Sequence, residues 1–592
     1  WMLTLGPLCD PAALTPTAAP AQLNPDDLTR HCVCVGMTGS GKTGLCTVVL
    51  EELVARQVPV LLIDPKGDIT AMAVQIDTLA PETIAPWVDA TRSPEDVSAA
   101  WQKGLAADGR GEDDVRRWRS SAKFQVLTPG SDAGIPIDVL SALSKAPQGL
   151  DDEGLREFVA GAVTALLGLL GRDEPRLTDP DAILLTRLLG DAFAAGDEMP
   201  LDRLIPAVVD PPFDQLGYLP LETYYPRDRR LELARELNAV VASPTFAAWR
   251  RGVPLDVEAW LTPGERTPVT VLYLAHLDDA QRMFFVTLVL HAVVAWSRRQ
   301  TGSAALRALL YFDEVMGYLP PHPRSPPSKA PVLTLLKQAR GVGLGVMLVT
   351  QNPVDVDYKA LSNAGTWLIG RLQTRQDRRR VLDGLERDDL DELLARLPPR
   401  TFLLRDSGGV RVLRSRQTLS LLRGPLTRRE VALLGQTWDR PAEASSPYLR
   451  APPVLPGALS ARWLDPAGLA ALGLTPGEGE GVWRPALYAR MQVAFDGEVR
   501  LVHRLRFPAD DASPVAVVLE DAWLLRRAPA SGRYAPAPAV VPDDQAVVEL
   551  RDAWTAAVVR EETTTRDGKV VYARRSAVEV LGFVVVWVGG AG

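Results

Sequence analysis

The sequence predicts an α/β fold in which a mostly parallel sheet is covered by helices on both faces. Three observations carry this. A short apolar, β-branched run, His31–Val35, leads into the loop Gly36-Met37-Thr38-Gly39-Ser40-Gly41-Lys42-Thr43, and Cys46, Val49, Leu50 and Leu53 follow at helical spacing. Apolar runs of strand length alternate with helical ones between Val269 and Leu372. Two of those runs end in polar groups suited to chemistry, Asp313-Glu314 and Gln351.

The first 30 residues read as a polar lead-in with one short strand, Met2–Leu5. The core then runs from 31 to 438. Its second strand is Val58–Asp64, closed by Asp64-Pro65-Lys66-Gly67-Asp68. Residues 70–265 break the strand–helix alternation and read as a large helical insertion. Phe158–Leu170 and Ala182–Leu189 are its clearest helices, and Phe124–Leu127 is a strand inside it. The alternation resumes with a strand at Val269–Leu274, a helix at Ala280–Arg298 and a strand at Ala308–Phe312. A helix near Val332–Ala339 and strands at Gly345–Gln351 and Trp367–Leu372 come next. Thr401–Arg405 and Val410–Arg414 flank Asp406-Ser407-Gly408-Gly409 as a hairpin. A Pro/Ala-rich linker at 439–458 leads to a smaller α+β or mainly β domain at 459–592, with strands at Ala489–Phe495, Val515–Leu519, Val570–Arg574 and Phe583–Val588.

At 592 residues the chain is too long for one core, and 46% hydrophobic residues suit a globular protein. The longest apolar stretches, around Phe158–Leu170 and Met283–Trp296, read as too short for a bilayer span. The first residue is Trp1, as in a piece of a longer protein. The four cysteines, Cys9, Cys32, Cys34 and Cys46, lack the Cys-x-x-Cys spacing of a metal site and read as buried apolar residues in a reducing cytoplasm. A net charge of −8 argues against global affinity for nucleic acid and leaves room for a local basic channel. The excess of Arg, Ala, Leu and Pro is the composition of a GC-rich bacterial genome.

The loop at Gly36–Thr43 is a phosphate cradle. Its backbone N–H groups wrap a triphosphate, Lys42 reaches the β and γ phosphates, and the Thr43 hydroxyl ligates Mg²⁺. Asp313 and Glu314, at the end of an apolar strand, are the expected partners: the first holds Mg²⁺ and the second polarises the attacking water. Gln351 ends the next apolar strand and is placed either to sense the γ phosphate or simply to start a turn. Arg371 is either an arginine finger for a neighbouring subunit's nucleotide or a local ion-pair partner of Asp377 or Asp383. Arg375, Arg378 and Arg379 share a helix face, with Arg380 beside them; that face contacts a DNA backbone or another subunit, or is only solvated. Asp64-Pro65-Lys66-Gly67-Asp68 either sets an acid beside the nucleotide or is only a tight turn. Pro320–Pro327 is stiff and extended; it either projects toward a pore or partner or lies as a rigid surface loop.

The ordered set Gly36–Thr43, Ile63-Asp64-Pro65-Lys66-Gly67-Asp68, Tyr311-Phe312-Asp313-Glu314, Val349-Thr350-Gln351-Asn352 and Gly370-Arg371 resembles the HerA/FtsK group of P-loop ATPases, in particular bacterial HerA-like ATP-binding proteins. The resemblance covers about residues 30–425. It implies a RecA-like core, ATP and Mg²⁺ at subunit interfaces of a homohexameric ring, and a motor acting on double-stranded DNA, with a nuclease as partner. By position it implies Lys42 and Thr43 at the phosphates and Mg²⁺, Asp313 as the metal carboxylate, Glu314 as general base, Gln351 as sensor and Arg371 as finger. The lead-in is shorter than the β-barrel that HerA proteins carry ahead of the core, the insertion is larger, and 459–592 has no counterpart. A superfamily motor for protein transfer or conjugation, and a nucleotide-gated binding module, are the alternatives.

Overall fold

The computed structural model describes residues 1–435, apart from positions 75, 90, 148, 173–175, 177, 244, 245 and 247, and beyond them the backbone of strands between 460 and 590. The chain divides into two compact units, the first made of Trp1–Met199 and Phe213–Glu443. Its strands are β1 (Leu3–Cys9), β2 (Pro16–Leu23), β3 (Cys32–Val35), β4 (Val60–Asp64), β5 (Ala122–Leu127), β6 (Thr267–Tyr273), β7 (Ser303–Phe312), β8 (Val342–Thr350), β9 (Thr366–Ile369), β10 (Thr401–Asp406) and β11 (Gly409–Arg414). They form one 11-stranded sheet in the order β2-β1-β11-β10-β9-β3-β8-β7-β4-β6-β5. From β9 to β5 all neighbours are parallel, and from β9 to β2 all are antiparallel.

The parallel strands are buried end to end. Every residue of β3, β4 and β6 is buried, as expected of strands with helices on both faces. All four cysteines are buried and free. The expected mostly parallel sheet is therefore present, as is the hairpin, now β10–β11.

Two parts of the expectation change. The lead-in is not a loose segment with one strand: β1 and β2 form a hairpin that extends the sheet through β11. The signal in β2 is faint because its Pro-Thr-Ala-Ala-Pro stretch is exposed, and proline is tolerated only at such an edge. The insertion, in turn, is not separate from the sheet: the strand expected at Phe124–Leu127 is present as β5, and it pairs in parallel with β6 to form the opposite sheet edge. Helices α1 (Lys42–Val54), α2 (Pro94–Ala107) and α3 (Glu112–Ser121) precede β5. Helices α4 (Asp152–Leu169), α5 (Pro180–Ala194) and α6 (Arg227–Ala242) follow it.

Helix α7 (Asp279–Arg298) corrects a further expectation. By length and composition it could cross a membrane, because charge is confined to its end turns, yet 72% of its apolar stretch is buried inside the protein. It packs on α4 so closely that a Cβ on Gly161 would lie 2.3 Å from the His291 ring. Helices α8 (Lys329–Gln338) and α9 (Arg375–Leu385) complete the core. The Pro-rich loop before α8 is anchored at its base. Lys329 donates to the carbonyls of Pro320 (2.8 Å) and Arg324 (3.0 Å) and pairs with Asp357 at 2.7 Å. Within Pro320–Pro327 the exposed residues are His322–Ser325, at the tip of the anchored loop.

The second unit comprises Pro200–Pro212 and Ala444–Gly592. Its main strands are β12 (Ser460–Leu464), β13 (Val482–Phe495), β14 (Glu498–Arg506) and β15 (Ser576–Gly590). β13 pairs antiparallel with β14 and β15, and β12 pairs in parallel with β15. The expected strands Ala489–Phe495 and Phe583–Val588 fall inside β13 and β15, and Val515–Ala516 pairs with β14. The linker at 439–458 and the strand at Val570–Arg574 lie outside the described residues.

A buried ion cluster in the first unit fixes the far end of α1. Arg416, 2% exposed by side chain, reaches Glu51 at 2.8 Å and Glu52 at 3.1 Å. Its backbone N–H donates to Leu5 O at 2.9 Å, and Glu52 accepts the Thr4 N–H at 3.0 Å. The cluster therefore ties α1, the N-terminal hairpin and the segment after β11 together. Burial pushes the Glu52 carboxyl up, but Arg416, the Thr4 amide, Arg56 and Arg110 outweigh it and hold the group below its ordinary 4.5. A depressed carboxyl stabilises fully above its unfolded value, so this contribution is lost as pH falls through the lower folded value. Arg416→Met leaves buried Glu51 without its cation and takes one of three from Glu52, which keeps Arg56 and Arg110. The substitution is expected to cost about 3–5 kcal/mol in urea unfolding, far more than an apolar replacement of all three residues together.

Candidate functional site

The strand order explains why the candidate residues meet. β8 lies between β3 and β7, and all three are parallel, so their C-terminal ends open on one edge. The phosphate loop leaves β3, Gln351 follows β8, and Asp313-Glu314 follow β7. Open parallel sheets bind ligands at that edge.

The loop is built to receive an anion. Gly39 and Gly41 have φ of 80° and 94°, a region that side-chain-bearing residues avoid. A Cβ on Gly36 would lie 2.7 Å from Ser40 Oγ, inside the cradle. Gly41 caps α1 without a side chain, so the first amides of the helix are left for a ligand. Lys42 is buried at 8% exposure, and Ser40 Oγ is buried with no hydrogen-bond partner. The turn itself is held from three sides. Ser40 N–H donates to Met37 O (3.1 Å), Met37 N–H to Arg371 O (2.9 Å), and Arg400 N–H to Ser40 O (2.8 Å).

A side-chain bridge crosses the three strand ends. Thr38 Oγ1 donates to Gln351 Oε1 at 2.7 Å, and Gln351 Nε2 donates to Glu314 Oε1 at 2.5 Å. Lys66 Nζ lies 3.4 Å from the same carboxylate oxygen, whereas Glu314 Oε2 is buried and has no partner. Glu314 adopts φ 46°, ψ 49°, a left-handed conformation that costs a residue with a Cβ about 1–2 kcal/mol. That conformation turns its side chain toward Gln351 and Lys66. Gln351 is therefore no mere turn residue: it joins the loop to the acid.

The DPKGD segment combines both of its readings. Asp64 is fully buried and organises the turn: Oδ1 accepts Gly67 N–H (2.7 Å) and Asp68 N–H (3.2 Å), and Oδ2 accepts from Thr70 N (2.8 Å) and Oγ1 (2.5 Å). Asp68 is the acid that faces the site. Burial raises its carboxyl, Lys66 lowers it, Glu314 raises it and Lys42 lowers it. Lys66 went unread in the sequence because its partner lies on another strand. The available signal was that β4 adjoins β7 and ends at the same edge.

Asp313 sits at the centre of this acidity. Its carboxyl accepts the Glu314 N–H at 3.1 Å. Burial, with Asp64, Glu314 and Asp68 adding to it and Lys42 opposing, pushes it up to about 8. An isolated carboxylate set of this kind is short of positive charge. No group of three or more His, Cys, Asp or Glu side chains able to hold a metal occurs among the described residues. A divalent ion here therefore takes its remaining ligands from phosphate and water, as Mg²⁺ does. Asp313, the half-buried Thr43 hydroxyl and the orphaned atoms of Ser40 and Glu314 fit that arrangement.

Arg371 is exposed beside the loop, which its carbonyl braces. The local ion pairs considered for it are not formed: Asp377 is engaged by Thr374 at 2.6 Å, and no pair of Arg371 with Asp383 occurs among the described residues. The basic face of α9 is engaged internally in part. Arg378 pairs with Asp391 at 2.7 Å, and Arg380 donates to Val356 O (3.3 Å) and covers the Tyr358 ring, leaving Arg375 and Arg379 exposed.

Residues 11–99 match the family model of the helicase HerA central domain. Comparison with curated proteins finds no match. Among solved structures, VirB4 of Thermoanaerobacter pseudethanolicus is 14% identical, with a TM-score of 0.43 over 70% of this chain and 96% of that one. The bacterial conjugative coupling protein TrwBΔN70 is 13% identical, with a TM-score of 0.42 over 72% and 91%. TrwB in complex with ADP and Mg²⁺ gives 13% and 0.40 over 73% and 97%.

The raised Asp313 carboxyl makes a testable demand on the protein without nucleotide or Mg²⁺. The folded state keeps a proton that the unfolded state gives up, so stability is full below about pH 4 and is lost as pH rises through about 8. Asp313→Asn, neutral throughout, should melt near the parent at pH 4 and several degrees above it at pH 8, by scanning calorimetry. A constant difference across that range would remove the charge argument.

Proposed function

We propose that this chain, whose nucleotide core is of the HerA/FtsK type of P-loop ATPase, hydrolyses ATP and couples hydrolysis to movement along double-stranded DNA as a homohexameric ring. The observation that carries the reading is the Thr38–Gln351–Glu314 bridge. It connects the loop that grips phosphate to the acid that would activate water, so occupancy and cleavage are linked by direct contact.

Lys42 and the free amides of α1 hold the β and γ phosphates. Thr43 and Asp313 hold Mg²⁺, which supplies charge neutralisation between the phosphates. Glu314 orients the lytic water and accepts its proton through the unpartnered Oε2. Gln351 exchanges its contact with Thr38 for one with the γ phosphate or the water. Lys66 holds the Glu314 carboxylate in place. Arg371, exposed next to the loop, serves a neighbouring subunit's nucleotide as a finger. A nuclease partner and cytoplasmic action remain part of this proposal, as does the assignment of the second unit to a separate role.

A second reading, a superfamily motor for protein transfer or conjugation, is favoured by one observation. Of the four arginines of α9, Arg378 is neutralised by Asp391 and Arg380 is turned onto Val356 O and the Tyr358 ring, so two, Arg375 and Arg379, are left facing outward for a DNA backbone.

Glu314→Gln should keep ATP binding and lower turnover by about 10²–10⁴-fold. Turnover of the parent should rise on adding duplex DNA at low salt and lose that stimulation as salt increases. Turnover indifferent to duplex at every salt concentration would leave the transfer motor as the better reading.

A further inference from the structure

A second polar cavity lies at the opposite end of the same strands. Its volume is about 530 Å³, and its walls include Arg30, His31, Lys337, Arg340, Gly365 and Arg405. Arg30 and His31 precede β3, Arg340 precedes β8, Gly365 precedes β9 and Arg405 belongs to β10. The cavity thus opens at the foot of the central strands, about 15 Å along β3 from the phosphate loop.

Its charge is one-sided. Among the described residues, Arg30, Lys337 and Arg340 make no ion pair, and all three are exposed. Arg405 donates only to a carbonyl, that of Gly365, at 2.9 Å. The carboxylate in the wall, Asp406, is already satisfied by Arg411 and by the Gly408 N–H at 2.9 Å. Behind the wall Asp27 accepts from Ser407 Oγ at 2.6 Å, so four cations face the polar space against two carboxylates, Asp406 and Asp27, that are both already engaged.

The buried member of the wall points to a ligand independently. His31 is 2% exposed, and its Nδ1 accepts the Val346 N–H at 3.2 Å. That bond leaves the ring proton of the neutral histidine on Nε2. Burial, with Arg340 nearby and the Leu336 carbonyl opposing, brings its pKa down to about 4, so the ring is neutral. Nε2 is therefore a buried donor; the Leu336 carbonyl lies near the ring, but Nε2 makes no well-formed hydrogen bond, and an acceptor in the cavity would supply one. Gly365 matters to the wall as well: a Cβ there would lie 2.6 Å from Arg30 Cβ and push that cation away.

We propose that this cavity is a second phosphate-binding site, separate from the nucleotide loop, in which Arg30, Lys337, Arg340 and Arg405 hold a phosphate group and His31 donates to it. The group is either that of a free phosphate compound or that of a nucleic-acid strand. The site does not depend on ATP hydrolysis at the loop.

The test uses the full chain carrying Lys42→Ala, which disables the nucleotide loop as a competing phosphate site. Inorganic pyrophosphate and a short DNA duplex are titrated separately, with and without Lys337→Gln plus Arg340→Gln. Both positions are exposed, so the variants should melt as the parent does, and Arg340→Lys should restore most of the lost affinity. Pyrophosphate binding weakened tenfold or more by the pair supports a free phosphate ligand. Duplex binding weakened by the pair, with the salt slope falling by about one for each cation removed, supports a strand phosphate. Binding of both probes that is unchanged by the pair, or no binding of either, overturns the site. Turnover of the pair in the background with Lys42 intact stays at the parent rate, so failure of this site and failure of the ATPase reading are told apart.

Discussion

The site is governed by an excess of negative charge at the end of a parallel sheet. Asp64, Asp68, Asp313 and Glu314 come together because β4 and β7 are neighbours whose C-terminal ends coincide. Burial in a low-dielectric edge raises the Asp64, Asp68 and Asp313 carboxyls, and the neighbouring charges add to it, most of all at Asp313. Among the described residues Lys42 and Lys66 oppose this, and Lys66 is nearly half exposed and correspondingly screened. Much of the local architecture follows from managing that charge. Asp64 disperses its own into four hydrogen bonds, Asp313 caps the Glu314 amide, and Glu314 takes a strained backbone to reach Gln351 and Lys66. A cation bound with a polyanion completes the balance, which is the chemical reason a phosphate loop and an acidic strand end occur as a pair.

The sequence was most legible where function resides in contiguous residues. Gly36–Thr43 announces itself because a strand, a glycine turn and a helix follow one another without interruption. Asp313-Glu314 and Gln351 were readable for a similar reason, each closing an apolar run. What the chain did not reveal is set by neighbours distant in sequence. Lys66 acquires its role only when β4 lies against β7, and Thr38 only when β8 is inserted between β3 and β7. The hairpin β1–β2 was obscured by prolines that are tolerable because β2 has nothing on its outer side. The arginines of α9 show the same limit: the helical spacing puts them on one stripe, but that Asp391 pairs with Arg378 and Tyr358 lies under Arg380 is decided by other elements.

The two ends of the central strands are chemically complementary. One end gathers carboxylates and a glycine cradle; the other gathers guanidinium and ammonium groups around a neutral histidine. Parallel strands make such segregation easy, since every strand presents its leading residue on one side and its trailing residue on the other. The same backbone can therefore offer two anion sites of different character. In the first, as proposed, backbone amides would dominate; in the second, side-chain cations would.

Helix α1 is restrained at both extremities, by Arg416 at its last turn and by Arg400 through the Ser40 carbonyl at its first. Both extremities of the helix are thus tied to other elements, one through buried charge and the other through backbone. Two residues reach the loop from its flank: Gln351 also bonds the acid Glu314, and Arg371 braces Met37 with its carbonyl while its side chain is exposed. In the motor proposed above, these two would be the first to register a triphosphate, one toward the acid of its own subunit and the other toward a neighbour.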